Sequence, residues 1–314
     1  MNIKIKKILL FLNLILALAI FVSCANKKSS SSNMSIIESS NASSTSPSSS
    51  IKDASSNIPS NSEETIKKSP LGTWWWNKNL DVDEYLEFAV NNDITEIYFC
   101  DYSLGDNLKT LLQKANNYDI NIYLLLGEKE WLNDRSDLDT IINNYISFQN
   151  NNEYKLSGIH LDVEPHQFSD FSDNRATYLY KLIDFIKTNK ELYNDISFDY
   201  DIPFWLDDEI EYNSISKPTY KHIIDYADRI FIMSYRDTAS AMLDVSIDEI
   251  NYANDNNKII YLSAETYSEE GDHVSYLEEG KAYMINELKE LRKLIPDDFG
   301  IAIHNIKSFK ELKD

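Results

Sequence analysis

The chain has 314 residues, 43% of them hydrophobic, and carries 51 acidic against 30 basic side chains for a formal charge of −21. That length is ample for one large core, and the charge argues against a nucleic-acid partner, whose phosphates demand clustered Lys and Arg. Two cysteines, Cys24 and Cys100, provide no disulfide framework, so packing must hold the fold.

The chain begins basic and turns apolar. Lys4, Lys6 and Lys7 precede an apolar run over residues 8–22 that only Asn13 interrupts, and Ser23-Cys24 closes it. This pattern is similar to a bacterial lipoprotein signal. The resemblance implies a leader over residues 1–23 and lipid on Cys24. It also implies an extracytoplasmic domain anchored to the cell membrane rather than spanning it. An uncleaved membrane helix is the other reading of the run. Residues 24–66 are dominated by Ser, with Asn, Thr and Pro between. Such a composition cannot bury enough apolar surface to offset its ordering entropy, which predicts a disordered, flexible linker.

A single domain is expected over residues 67–314, where short apolar segments alternate with amphipathic ones. Strands are predicted over residues 72–76, 95–101, 121–126, 158–164, 197–202, 229–235, 258–265 and 300–304. Helices are predicted over 82–91, 108–117, 138–149, 174–189, 220–226, 247–256 and 277–294, with a short last one near Ser308. In 174–189, for example, Tyr178, Leu182, Phe185 and Ile186 recur at helical spacing. Strict alternation predicts a parallel sheet. Eight repeats favour an α/β fold of the closed (β/α)8 TIM-barrel type over an open sheet. No G-x-G-x-x-G follows the first strand and no G-x-x-x-x-G-K-[ST] occurs, so no cofactor is expected. Cys100 lies in an apolar strand and is expected to be a small core residue.

Active sites of such barrels lie at the C-terminal ends of the strands. Those ends read Trp74 to Trp76, Asp101-Tyr102, Glu128, Asp162 and Glu164, Asp199 and Asp201, Tyr235, Glu265 and His304. Side chains alternate along a strand, so His160, Asp162 and Glu164 share one face while Ile159, Leu161 and Val163 take the other. Acids at several strand ends, with Trp and Tyr among them, match what glycoside hydrolysis needs. One carboxyl must hold a proton for the leaving oxygen, and a second group must stabilise or attack the sugar carbon. Glu164 is the expected general acid, its proton held by burial and by the charge of Asp162. Tyr235 and Glu265 are the candidates to stabilise or attack. Asp101, His160, Asp199, Asp201 and His304 are candidate substrate-binding groups, and Trp75, Trp131 and Trp205 candidate platforms for sugar rings.

Residues 157–164, Ser-Gly-Ile-His-Leu-Asp-Val-Glu, resemble the D-G-x-D-x-D-x-E strand of family 18 glycoside hydrolases, the chitinase-like barrels. Met233-Ser234-Tyr235 is similar to the M-x-Y of the same family. The resemblance implies that Glu164 is the acid and that Asp162 orients a substrate acetamido group, which attacks as an internal nucleophile. It implies that the Tyr235 hydroxyl supports the cyclic intermediate. It covers the barrel's order and these two motifs. The chain departs from the family at Ser157 and His160, where aspartates are usual, and at Arg236, with Asp237 one place late. A second similarity, to the retaining glycosidases of the cellulase-like clan, rests on Glu164-Pro165 ending the fourth strand and Glu265 the seventh. It implies that Glu265 is the nucleophile, although Val163 stands where that clan has asparagine.

Two other classes stay open. His160, Asp162, Glu164 and His304 are residue types that suit a divalent ion in a metal-dependent hydrolase, although the first strand lacks an H-x-H pair. The other is a catalytically inactive barrel that binds glycans at the cell surface. The expected partner is a cell-wall or environmental polysaccharide, and no metal site is assigned.

Overall fold

The computed structural model describes residues 69–267 and 273–314; the expected leader, Cys24 and the Ser-rich linker lie outside them. The first five strands are β1 (Leu71–Trp75), β2 (Glu96–Phe99), β3 (Asn121–Leu126), β4 (Gly158–Leu161) and β5 (Phe198–Pro203). An antiparallel hairpin of β6 (Glu209–Tyr212) and β7 (Ile215–Pro218) follows, then β8 (Arg229–Met233), β9 (Ile259–Glu265) and β10 (Gly300–His304). Apart from the hairpin, these strands are all parallel, and β1 pairs with both β2 and β10 to close the barrel.

The helices of the outer layer are α1 (Val82–Asn91), α2 (Asp106–Ala115), α3 (Ser136–Asn151), α4 (Arg175–Leu192), α5 (Thr219–Tyr226), α6 (Ala239–Asp255), α7 (Lys281–Arg292) and α8 (Ile306–Glu311). The fold is the (β/α)8 barrel that the alternation predicts. Two helix starts differ from expectation, each for a local reason. Helix α6 begins well before residue 247 because Thr238 caps it, its hydroxyl accepting from Ala241 N at 3.3 Å. Helix α7 begins after residue 277 because Gly280, at φ +85°, holds a conformation that cannot continue a helix. The short α8 is set by a capping box between Asn305 and Ser308, and Phe309 meets Phe88 of α1 edge-on at 5.0 Å. The chain's own last helix therefore covers the final strand.

Two apolar clusters sit on either side of the barrel wall. The larger lies between strands and helices. The smaller fills the barrel with Trp74, Tyr98, Cys100, Tyr123, Leu125, Phe231, Tyr261 and Ala302, a packed interior rather than a pore. Each such ring contributes about 1.5–3 kcal/mol by burial. Glycine makes room for them. A Cβ on Gly72 would stand 2.1 Å from the Tyr98 hydroxyl, and one on Gly300 would stand 2.1 Å from the Tyr261 ring.

Candidate active site

Strand alternation carries ionic side chains into the barrel as well as rings. At the floor, Arg229 opens β8 and grips both oxygens of Asp199, with Nε–Oδ1 2.8 Å and Nη2–Oδ2 2.6 Å. Its Nη1 donates to both oxygens of Glu96, at 2.9 and 3.0 Å, and to the Tyr261 hydroxyl at 2.8 Å. Burial opposes charge on this guanidinium, but Asp199 and Glu96 outweigh it and raise its pKa. Burial likewise works to raise the Asp199 carboxyl, yet Arg229 and His160 hold it below its ordinary range.

One level higher, His160 Nε2 lies 2.8 Å from Asp201 Oδ2, and its Nδ1 lies 3.7 Å from Asp199 Oδ2. Its ring stacks on Tyr98 at 4.2 Å. Trp74 Nε1 is 3.1 Å from both His160 Nε2 and Asp201 Oδ2. An indole N–H only donates. The arrangement that fits these contacts has the imidazole and the indole both donating to Asp201 Oδ2, and it leaves His160 Nδ1 without a hydrogen-bond partner among the described residues. Burial disfavours a charged imidazole, but Asp201 and Asp199 push His160 up to about 8 from 6.5.

His160 and Asp199, expected to bind substrate, are instead completely buried and engaged by protein partners. Both stand too low on their strands to meet a ligand at the mouth. Asp201 is higher, and its Oδ1 is enclosed with no hydrogen-bond partner among the described residues.

The mouth gathers the remaining candidates. Strand β4 ends at Leu161, but the chain stays extended: Asp162 N donates to Leu126 O at 2.9 Å, and Glu164 has φ −104° and ψ 98°. Pro165 then turns the backbone into a short 3₁₀ helix, Pro165–Gln167. Glu164 Oε2 accepts from Gln167 Nε2, and His166 Nε2 lies 3.5 Å from Glu164 Oε1. Asp162 Oδ1 is enclosed and has no hydrogen-bond partner among the described residues. Burial, then the charges of Glu164 and Asp201, push the Asp162 carboxyl well above its usual range. The sequence reading had Asp162 holding a proton on Glu164, whereas the carboxyl that these surroundings keep neutral is Asp162.

Opposite, Glu265 Oε1 accepts from Thr266 N at 2.8 Å and from Tyr267 N at 2.7 Å, while Oε2 is 2.9 Å from His304 Nδ1. Trp76 Nε1 donates to His304 Nε2 at 2.9 Å. This donor places the histidine's proton on Nδ1, toward Glu265. Burial works against a second proton there, and Glu265, Asp201 and Glu164 favour one, so the net direction for His304 is upward. Tyr235 faces the His304 ring at 6.2 Å. Burial raises its phenol well above the usual value, and so do the charges of Glu265, Asp201, Asp162 and Glu164, in that order. Carboxylates from three strands thus act on one hydroxyl.

Other expected site residues have structural work. Asp101 is buried and accepts from Lys78 Nζ at 2.9 Å, Ser103 N at 3.1 Å and Gly105 N at 2.8 Å, tying down the turn into α2. Burial raises its carboxyl, but hydrogen bonds from Ser103, Lys78 and Gly105 bring it below the ordinary value. Trp75 points outward from the barrel and packs on Phe99 at 5.3 Å and Tyr85 at 5.5 Å. Trp205 is buried beneath the Arg175 guanidinium, 4.6 Å from its ring, and beside His166 at 5.5 Å. Trp131 is buried beside Tyr102 at 6.3 Å. Among the described residues no group of three or more His, Cys, Asp or Glu is placed to hold a metal ion.

Sequence reasoning placed Trp74 and Trp76 at a strand end without giving them a role, and it missed Glu96 and Arg229. The alternation rule, applied outward from Gly72, would have turned Trp74 and Trp76 inward. For Arg229 no comparable signal exists, since a basic residue opening a strand is ordinarily solvated.

No protein-family model matches the chain, and no curated protein matches it by sequence. Solved structures do resemble it. A chitinase from Bacteroides thetaiotaomicron is 14% identical, with a TM-score of 0.51 over 77% of this chain and 90% of that one. The spore cortex-lytic enzyme SleL of Bacillus megaterium QM B1551 is also 14% identical, with a TM-score of 0.50 over 76% of this chain and 71% of that one. At this identity the likeness concerns the fold.

Proposed function

We propose that the chain is a glycoside hydrolase acting on a cell-wall or environmental polysaccharide. The observation that carries this reading is the gathering of Asp162, Glu164, Asp201 and Glu265 at the mouth with Tyr235, whose ring stands 6.2 Å from that of His304, itself 2.9 Å from Glu265. Glycosidic cleavage needs a proton for the leaving oxygen and negative charge near the sugar carbon as it becomes cationic. In this reading Glu164 delivers the proton. Asp162, whose enclosed Oδ1 has no hydrogen-bond partner among the described residues, holds one in reserve. Tyr235 keeps its hydroxyl proton and supports the group that forms at the sugar carbon. Glu265, engaged by two backbone N–H groups and His304, supplies fixed negative charge on the facing wall. The barrel's likeness to a chitinase and to a spore cortex-lytic enzyme is consistent with this substrate class.

We also propose that lipid on Cys24 holds the domain outside the cytoplasm, on the strength of the basic start, the apolar run and Ser23-Cys24. Labelled fatty acid should enter the chain in its host and fail to enter the Cys24→Ala variant.

The test of activity is sugar release from a panel of polysaccharides, bacterial wall glycans and chitin included. Wild-type chain, the Glu164→Gln variant and a chelator-treated sample would run in parallel. Release that survives chelation and disappears in the variant supports the proposal. Retention of glycan by both proteins with no release from either would favour a binding barrel. Release lost to chelation and restored by a divalent ion would favour a metal-dependent hydrolase.

A further inference from the structure

Charge alternates in sign up the inside of the barrel. Glu96 and Arg229 stand at the floor, with Nη1–Oε1 at 2.9 Å, and Arg229 clasps Asp199. His160 comes next, between Asp199 and Asp201, with its two nitrogens 3.7 and 2.8 Å from their Oδ2 atoms. The register pairs His160 with Asp199 and Leu161 with Tyr200, so the next step outward sets Asp162 beside Asp201. Both of those carboxylates turn an enclosed Oδ1 without a hydrogen-bond partner among the described residues. The column therefore ends at the mouth on two adjacent carboxyls, one of which must shed its charge.

We propose that His160 is a positioning residue: as an imidazolium between Asp199 and Asp201, it keeps Asp201 ionised beside Asp162 and thereby fixes the site's reserve proton on Asp162. The proton's use in hydrolysis rests on the glycosidase reading; its location does not. The groups facing His160 leave it this task. Asp199 and Asp201 come from β5, and Arg229 of β8 is already engaged with Asp199, Glu96 and Tyr261. Tyr98 of β2 stacks on the ring, its phenol raised well above the ordinary value by burial and Glu96 and hence neutral. Trp74 of β1 and Phe231 of β8 complete the enclosure with uncharged edges at 5.5 and 4.6 Å. Asp162 lies on the same strand as His160, one inward position further out. Asp201 also interacts with His304 across the mouth, but the imidazole held against it at 2.8 Å is that of His160, whose pKa of about 8 agrees with a positive charge at neutral pH.

The test is carbon-13 NMR of the full-length chain, labelled at the Asp side-chain carboxyls and the His ring and titrated from acid to alkaline pH. Signals are assigned by their loss in Asp162→Asn, Asp201→Asn and His160→Gln. At pH about 7 the wild type should show His160 charged, Asp201 ionised and Asp162 protonated. In His160→Gln, whose amide still donates to Asp201, the proton should move from Asp162 to Asp201. A parallel pH–rate profile should lose its alkaline limb near the His160 midpoint in that variant. Neutral His160 in the folded wild type, or an unchanged Asp162 signal in the variant, would overturn the proposal. Absence of hydrolysis with the proton transfer intact would overturn the glycosidase reading and leave the column's role standing.

Discussion

Glu265 and His304 are direct partners across β9 and β10, and the carboxylate Oε2 of one lies 2.9 Å from Nδ1 of the other. The register of two barrel strands therefore sets a side-chain pair at the mouth, and Thr266 N and Tyr267 N fasten the other carboxylate oxygen. Such an anion is held by its surroundings before any ligand arrives.

Removing that anion should cost stability as well as activity. Glu265→Ala leaves two backbone donors and His304 without their acceptor, each a loss of about 1–3 kcal/mol where water cannot replace it. Urea unfolding should report a fall in this range, and Glu265→Gln, which keeps an acceptor oxygen, should fall less. An Ala variant as stable as wild type would show that water already serves these groups.

Tyr235→Phe separates chemistry from folding. On the proposed reading the Tyr235 hydroxyl supports the reacting sugar, so its loss should lower the hydrolysis rate by about 10²–10³, the range seen for a single stabilising donor. The unfolding midpoint should scarcely move. A rate within a few-fold of wild type would remove Tyr235 from the mechanism.

Stability should decline as pH rises through neutrality. His160 titrates near 8 when folded against 6.5 for an ordinary histidine, so the folded state binds its proton more tightly. Its contribution is complete below pH about 6.5 and disappears as pH passes about 8, for a total of about 2 kcal/mol. His304, shifted in the same direction, acts in the same sense. Asp162 adds to the trend, because its raised folded pKa makes ionisation costly above the acid range. Thermal melts from pH 6 to 9 should show a falling midpoint, and His160→Gln should flatten the curve above pH 6.5.

Arg229→Met should be among the most damaging substitutions. It strands Glu96 and Asp199 as buried carboxylates, and breaking one member of a buried ionic group costs about 3–5 kcal/mol. Chemical denaturation of the variant, with Arg229→Lys beside it, measures the loss. Lysine restores the charge but not the two-pronged grip on Asp199, so it should recover only part of the stability.

The barrel is legible in the sequence because its evidence is distributed. Every apolar strand and amphipathic helix repeats the same message, and a boundary error at Thr238 or Gly280 leaves the topology unchanged. The mouth is legible at Asp162, Glu164, Tyr235, Glu265 and His304 through the rule that strand ends face it. The same rule ranks His160 and Asp199 with them, because alternation gives a side chain's face but not its height inside the barrel. Trp75 and Asp101 show two further limits. Neighbouring tryptophans point to opposite faces, and an acid at a strand's end can serve the next turn as readily as a ligand. The Arg229–Glu96 pair joins residues 133 positions apart, and nothing local in either segment announces the other.

The floor of the barrel has one more consequence. Glu96, Arg229, Tyr123 and Tyr261 interlock there, with the guanidinium 4.4 Å above the Tyr123 ring and 5.0 Å from that of Tyr261. Together these four side chains pack the floor of the barrel, at the end opposite the mouth. On the proposed reading, a polymer would therefore meet the candidate site from the mouth alone, the floor being closed by packed side chains.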